Sequence, residues 1–230
     1  MPNSFLNTFL FVGLPYIALA LAIGVGILRF TSRPFSYSSL SSQFLENEQL
    51  FWGSNFFHWG LVWVLGGHLT GFLFPKTILW WNSNPLRLFI LESTALIGAL
   101  LALFGVCALM VRRFYTPRIV AVTTPMDRVL LTLLLIQIAT GIDTALRYRW
   151  GSAWYASAAV PYLRSVLLLA PRPEFIVSLP WGPKLHMVSG FLVILAIPFT
   201  RLVHFLVVPV WYLWRKPQLV IWNRRSGARS

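Results

Sequence analysis

Along this chain, long apolar runs alternate with short stretches that hold nearly all of the charge. Five runs stand out, at about residues 7–28, 50–74, 88–111, 129–146 and 185–212. A bilayer core is about 30 Å thick, and a helix crosses it with roughly 20 apolar residues. The pattern therefore predicts an all-α membrane protein with five transmembrane helices. The fourth run is the shortest and ends at Asp143, so its limits are the loosest. Segments 33–49, 75–87, 112–128 and 147–184 connect the runs, and a basic tail follows at 213–230. No internal repeat or low-complexity tract breaks the pattern, so residues 1–230 are read as a single transmembrane domain.

Composition narrows the class. Of 230 residues, 57% are hydrophobic and 11% charged, a balance far from that of a soluble domain. A formal net charge of +13 invites a nucleic-acid partner, but 16% aromatics in long apolar runs argue against it. Basic loops beside membrane spans account for the charge, so nucleic acid is set aside. The one cysteine, Cys107, lies in an apolar run. It excludes a disulfide within the chain, a cysteine-ligated iron–sulfur cluster and a CxxCH haem attachment. The first residues, MPNSFLNTFLF, lack a basic n-region and a clear cleavage site, so the first run is expected to stay as a span.

Charge also sets orientation. Of the 19 Lys and Arg, eleven flank or occupy the first loop, the third loop and the tail. Seven fall in the second and fourth loops, and Arg201 lies within the fifth run. The positive-inside rule then puts the N-terminus outside and the tail in the cytoplasm.

Candidate chemistry lies in four histidines, none in a loop centre. His58 and His68 are on the second run, His186 and His204 on the fifth. The two helices run in opposite directions, with His68 about 15 Å farther out than His58 and His204 about 27 Å deeper than His186. Pairing by depth joins His68 to His186 near the outer face and His58 to His204 near the cytoplasm. Eighteen positions make five helical turns, so His186 and His204 share a face, while His58 and His68 fall about 80° apart. The unequal spacings require tilted helices or tilted cofactors.

Two imidazoles facing each other across a bundle make axial ligands for a haem. A zinc or copper site would recruit cysteine, carboxylate or a third imidazole. Gly60, Gly66, Gly67, Gly71 and Gly190 remove bulk beside the ligands, as suits a large flat cofactor, although small residues also serve helix packing. Two non-covalent b-type haems are the reading. Ser54 and Thr200 each precede an inner ligand by four residues, where their hydroxyls can orient the imidazole or bond back to their own helix. Arg112, Arg113 and Arg201 lie at the inner level as partners for haem propionates, or, for Arg112 and Arg113, as topology determinants.

The segments SNFFHWG, GHLTG, KLHMVSG and TRLVHFLVVP, with RRFYTPR and TTPMD, resemble the cytochrome b (gamma) subunit of membrane-bound respiratory nitrate reductase. The resemblance covers nearly the whole chain and is weakest in the fourth loop. It implies an outer haem on His68 and His186 and an inner haem on His58 and His204. It further implies that quinol (menaquinol or ubiquinol) is oxidised at the outer haem. Electrons would pass to a cytoplasmic iron–sulfur beta subunit and a molybdenum-containing alpha subunit. The location implied is the prokaryotic plasma (inner) membrane. In the family a basic residue at the start of the third span serves the quinol site, where His68 and Gly67 are further candidates. Here Arg87 is the nearest match and Lys76 the alternative. The apolar stretch WYASAAVPYLRSVLLL in the fourth loop can roof that pocket or serve packing alone. The basic tail is expected to dock the soluble subunits.

Two rivals stand beside this reading. The chain can serve as the quinol-linked anchor of a sulfite-reducing or hydrogenase-like complex, because a membrane anchor does not read the terminal acceptor. A proton-coupled transporter without haem would need a polar path, and beyond the histidines only Glu92, Asp143 and Arg201 lie well inside spans.

Overall fold

The computed structural model describes residues 5–32, 48–148 and 151–207, which are helical almost throughout. Five long rods dominate: α1 (Phe5–Ser32), α2 (Glu48–Leu73), α4 (Pro85–Tyr115), α6 (Pro125–Arg147) and α10 (Trp181–Ala196). A π-helical turn at Phe9–Gly13 interrupts α1 near its start. Short helices fill the connections: α3 (Pro75–Trp81), α5 (Pro117–Val120), α7 (Gly151–Trp154), α8 (Val160–Leu167) and α9 (Glu174–Val177).

The helix starts follow from local chemistry. At α4, Asn84 Oδ1 accepts from the main-chain N–H of Leu86 (2.9 Å) and Arg87 (3.3 Å), with Pro85 in the first turn. At α6, Thr124 and Asp127 form a reciprocal capping box around Pro125, which explains the TTPMD motif. The fourth span starts at Pro125, before the expected 129, because the capping box recruits the preceding turn. Arg112 and Arg113 close the last turn of α4, where cations suit the helix dipole.

Among the described residues, four helical stretches are long and apolar enough to cross a membrane: Phe5–Ser32, Pro85–Tyr115, Pro125–Arg147 and Trp181–Phe199. Helix α2 has 26 residues, about 39 Å at 1.5 Å each, which is ample length. Its two histidines, tryptophans and glycines lower its hydropathy below that of the other four. Large apolar side chains cover the exterior, among them Ile23 and Ile27 of α1, Trp59 and Trp63 of α2, and Phe89, Ile97 and Phe104 of α4. Such exposure suits a lipid-facing surface, where apolar side chains meet apolar acyl chains and the helices satisfy their own backbone polar groups.

Helix α2 packs on α4, α4 on α6, α6 on α10, and α10 on α1. Glycines let the first pair approach backbone to backbone. A Cβ on Gly60 would meet the Gly98 carbonyl and the Ala102 main chain, and one on Gly105 would meet the Phe57 main chain. Phe57, Ala102, Val106, Leu130, Leu134 and Ile138 then form one core under α2. A second core joins Phe11, Leu14 and Ala18 of α1 to Tyr162 and Val166 of α8, Ile176 of α9 and Phe191 of α10.

The fifth span departs most from expectation. Its helix does not continue to residue 212: α10 ends at Ala196 and tightens into a 3-10 turn at Ile197–Phe199. The chain is extended at Thr200 (φ −122°, ψ −176°) and resumes as 3-10 helix over Arg201–Val207. Pro198 has no N–H to give and its ring crowds the preceding turn, so the α-helix cannot run on. The basic tail at 213–230 lies outside the described residues.

Candidate functional site

The four histidines meet in two pairs between α2 and the α10 segment. His68 and His186 have ring centres 6.3 Å apart, inclined by 46°. His58 and His204 have ring centres 6.1 Å apart, inclined by 66°. A metal–imidazole bond of about 2 Å, with about 1.2 Å from nitrogen to ring centre, puts two opposed axial imidazoles about 6.4 Å apart. Both pairs sit at that separation.

The proton on each ring is fixed by what its Nδ1 meets. His58 Nδ1 donates to Ser54 O (2.7 Å), His68 Nδ1 to Val64 O (2.8 Å), His204 Nδ1 to Arg201 O (2.7 Å) and His186 Nδ1 to Gln137 O (3.1 Å). A carbonyl can only accept, so each Nδ1 carries the hydrogen and each Nε2 presents a lone pair, which at His186 faces the Gln137 amide at 3.4 Å. Each level thus offers two imidazole nitrogens, and among the described residues no group of three or more His, Cys, Asp or Glu converges. Two imidazoles at this separation, with no third protein ligand beside them among the described residues, suit an iron whose other positions belong to a planar macrocycle, so the residues fit a haem.

Around His186, the structure adds residues that motif reading passed over. Gly141 makes room for the imidazole, since a Cβ there would lie 2.9 Å from His186 Cε1. Gln137 contributes its carbonyl to Nδ1, and its amide Nε2 lies 3.4 Å from His186 Nε2. Ser189 Oγ donates to Gln137 Oε1, which fixes the amide in turn. Thr140 Oγ1 stands 3.3 Å from His186 Nδ1. A lone amide with a threonine and a glycine in the run IQIATG was the available signal.

His68 is exposed on α2, and a Cβ on Gly66 or Gly67 would meet nothing within 4 Å. Those two glycines leave open space beside the imidazole. Gly60 instead serves the α2–α4 contact, Gly71 faces the Tyr155 ring and Gly190 lies against the Gln137 amide. From the fourth loop, Tyr155 donates its hydroxyl hydrogen to His68 O (3.0 Å), with its ring 5.2 Å from the imidazole. Burial pushes its hydroxyl up to about 12, so it is a donor at any ordinary pH. Arg164 caps the same end of α2 by donating to Phe72 O (2.6 Å) and Leu73 O (3.3 Å).

The two candidate quinol cations lie in different settings. Arg87 is in the first turn of α4, its guanidinium 5.0 Å from the Trp80 ring centre and 5.5 Å from that of Trp81. Lys76 is exposed at the second position of α3. A third cation, Lys184, is buried two residues before His186 and donates to Val177 O (2.7 Å).

At the other pair, Ser54 Oγ lies 3.2 Å from His58 Nδ1, beside the carbonyl that takes the stronger bond. Thr200 does not orient His204. Its Oγ1 accepts from Leu202 N and donates to Ile197 O, because the helix break removes the one-turn relation that the spacing assumed. The Arg201 carbonyl takes that role. Arg201 Nε pairs with Asp127 Oδ1 (2.7 Å), and Arg113 Nη1 lies 3.8 Å from Asp127 Oδ2. Arg112 is buried. Asp127 is thus a carboxylate partner that the sequence reading did not single out.

Comparison with known proteins bears on the whole chain. It matches the family described as nitrate reductase gamma subunit over residues 7–223. It is 34% identical over 219 residues to the nitrate reductase gamma chain of Bacillus subtilis, covering 93% of this chain and 96% of that one. The respiratory nitrate reductase 1 gamma chain of Escherichia coli is 33% identical over 224 residues, 94% of this chain and 97% of its own length. A nitrate reductase-like protein of Mycobacterium tuberculosis is 29% identical over 219 residues, which cover 92% of this chain and 33% of that longer protein. Because the match runs through every segment that carries a histidine, the chain belongs to the nitrate reductase gamma subunit family.

Proposed function

We propose that this subunit is a dihaem b-type cytochrome that oxidises quinol near the outer face of the plasma membrane and delivers electrons to nitrate reductase subunits in the cytoplasm. The observation that carries the reading is the state of the four histidines: two facing pairs, 6.3 and 6.1 Å apart, with every Nδ1 bonded to a carbonyl. His68 and His186 would hold the outer haem, and His58 and His204 the inner one. Bound there, the haems supply one-electron chemistry at two depths, which links a two-electron donor outside to an iron–sulfur acceptor inside.

The protein's own part is to hold and to shield. Carbonyl-bonded Nδ1 atoms fix each ring and raise its basicity as a ligand. Helix α2, second in chain order, completes a set of five spans, with the N-terminus outside and the basic tail at the cytoplasmic face. A quinol near His68 meets open space at Gly66 and Gly67, the Tyr155 hydroxyl region and the cations of the second loop. Arg87 or Lys76 would stabilise the negative charge that quinol deprotonation creates. The protons leave on the outer side. Each electron carried inward against the potential costs about 2.3 kcal/mol per 100 mV, so the separation of donor and acceptor across the bilayer conserves energy.

Nitrate need not touch this chain. Its partners are the iron–sulfur beta and molybdenum alpha subunits, with the lipid bilayer around the helices. A visible spectrum with redox titration of the purified membrane complex tests the proposal. Two b-type haems of distinct potential, reduced by quinol, are expected. A chain that assembles without haem removes the reading.

A further inference from the structure

We propose that Arg29 and Asp127 are positioning residues for His204, holding the broken end of α10 from two sides so that its ring stays on His58. The inference rests on the haem reading above and concerns how this chain builds one ligand. The problem is set by the break. After Ala196 the segment has a 3-10 turn, one extended residue and a second 3-10 turn, in place of a continuous α-helix. Such a segment has fewer bonds of its own to hold it, and carbonyls freed by a break are costly away from water.

Arg29, near the end of α1, takes two of those carbonyls. Its Nη1 donates to Pro198 O (2.8 Å) and to Thr200 O (3.2 Å), one on each side of the extended residue's entry. The donor is delivered from a helix already packed on α10 through Phe11, Leu14, Ala18 and Phe191. Its reach is therefore set by a core rather than by a loop.

Asp127 holds the next residue from α6. Its Oδ1 lies 2.7 Å from Arg201 Nε. Its own orientation is locked, because Oδ2 accepts from Thr124 N (3.0 Å) and its main-chain N–H donates to Thr124 Oγ1 (3.2 Å). Arg113, at 3.8 Å, leaves that pair intact. Arg201 then relays the hold, since its carbonyl accepts the Nδ1 hydrogen of His204 (2.7 Å). Neither Arg29 nor Asp127 touches the imidazole. Each acts through the main chain that carries it, and an axial ligand's orientation and hydrogen bond tune the metal it binds.

The test uses the full membrane complex carrying Arg29→Met or Asp127→Asn, read by redox titration and by the low-spin resonance of each oxidised haem. The expected result is a shifted potential and an altered or broadened resonance for the inner haem, or its loss, while the outer haem keeps wild-type values. Arg29→Lys, which keeps the charge and one reach, should fall nearer to wild type than Arg29→Gln. Should Arg29→Met fail to assemble, Arg29→Gln and Asp127→Asn read the same quantities. Unchanged inner-haem values overturn the proposal, and so does equal disturbance of both haems, which would mark general destabilisation. Absence of haem from the wild-type complex would instead remove the functional reading on which the proposal rests.

Discussion

Tyr155 reaches back 87 residues to donate its hydroxyl hydrogen to the main-chain carbonyl of His68. A segment that reads as a connecting loop is thereby attached to the residue proposed as a ligand of the outer haem. Arg164 on Phe72 and Leu73, and Asn82 on Ser152 (3.0 Å), make the same attachment at neighbouring points. The fourth connection is thus a fixed cover over one end of α2.

Replacing Tyr155 by Phe should remove one hydrogen bond worth about 1 kcal/mol, a factor of about five in an equilibrium. Both haems should remain, while quinol turnover or the affinity of a quinol-site inhibitor falls by about that factor. The bond should persist through neutral pH. The ordinary tyrosine value of 10.0 is raised to about 12 by burial, so its contribution is complete below pH 10 and is lost as pH rises from there. Equal inhibitor affinity in the two proteins would show that the cover does not shape the pocket.

The substitution His68→Ala should remove the outer haem, leave the inner haem and lower quinol oxidation by more than about 100-fold, since even changes behind a ligand commonly cost 10- to 100-fold. Haem content and redox titration of the variant measure this. Loss of the inner haem alone would reverse the pairing.

At Gly105, a valine would drive its Cβ into the Phe57 main chain, which cannot move aside as a side chain can. Overpacking of this kind costs about 1–3 kcal/mol. Because α2 carries both His58 and His68, the two haems should decline together with the amount of assembled subunit. Retention of both at wild-type levels would show that α2 and α4 can separate without harm.

For the quinol cation, Arg87→Ala is expected to weaken turnover and inhibitor binding without loss of haem. Its guanidinium lies over Trp80 and Trp81, so the variant also frees that aromatic face. Wild-type values for Arg87→Ala with disturbed values for Lys76→Ala would assign the role to Lys76.

Much of the architecture is written in local pattern. Apolar runs of bilayer length predict the long helices, because length and hydropathy are properties of consecutive residues. The starts of α4 and α6 can be read from Asn84-Pro85 and Thr124-Pro125, since caps act within one turn. The histidines were legible as candidate ligands for a related reason: an imidazole is costly in a span and prompts a search for its purpose. Depth alone suggested which of them share a level.

Other features depend on which helices lie side by side. No local pattern shows that the carbonyl serving His186 comes from Gln137, 49 residues earlier on another helix. Spacing made Thr200 a plausible partner for His204, because that argument assumes an unbroken helix; Pro198 breaks it, and Arg201 supplies the acceptor. Gly60 and Gly66 look alike in the run of residues, yet one is pressed against Gly98 and the other faces open space. Helical periodicity tells a residue which face it occupies on its own rod. What that face meets follows from how several rods pack together, a long-range result that sums many weak contacts and leaves no signature in any one of them.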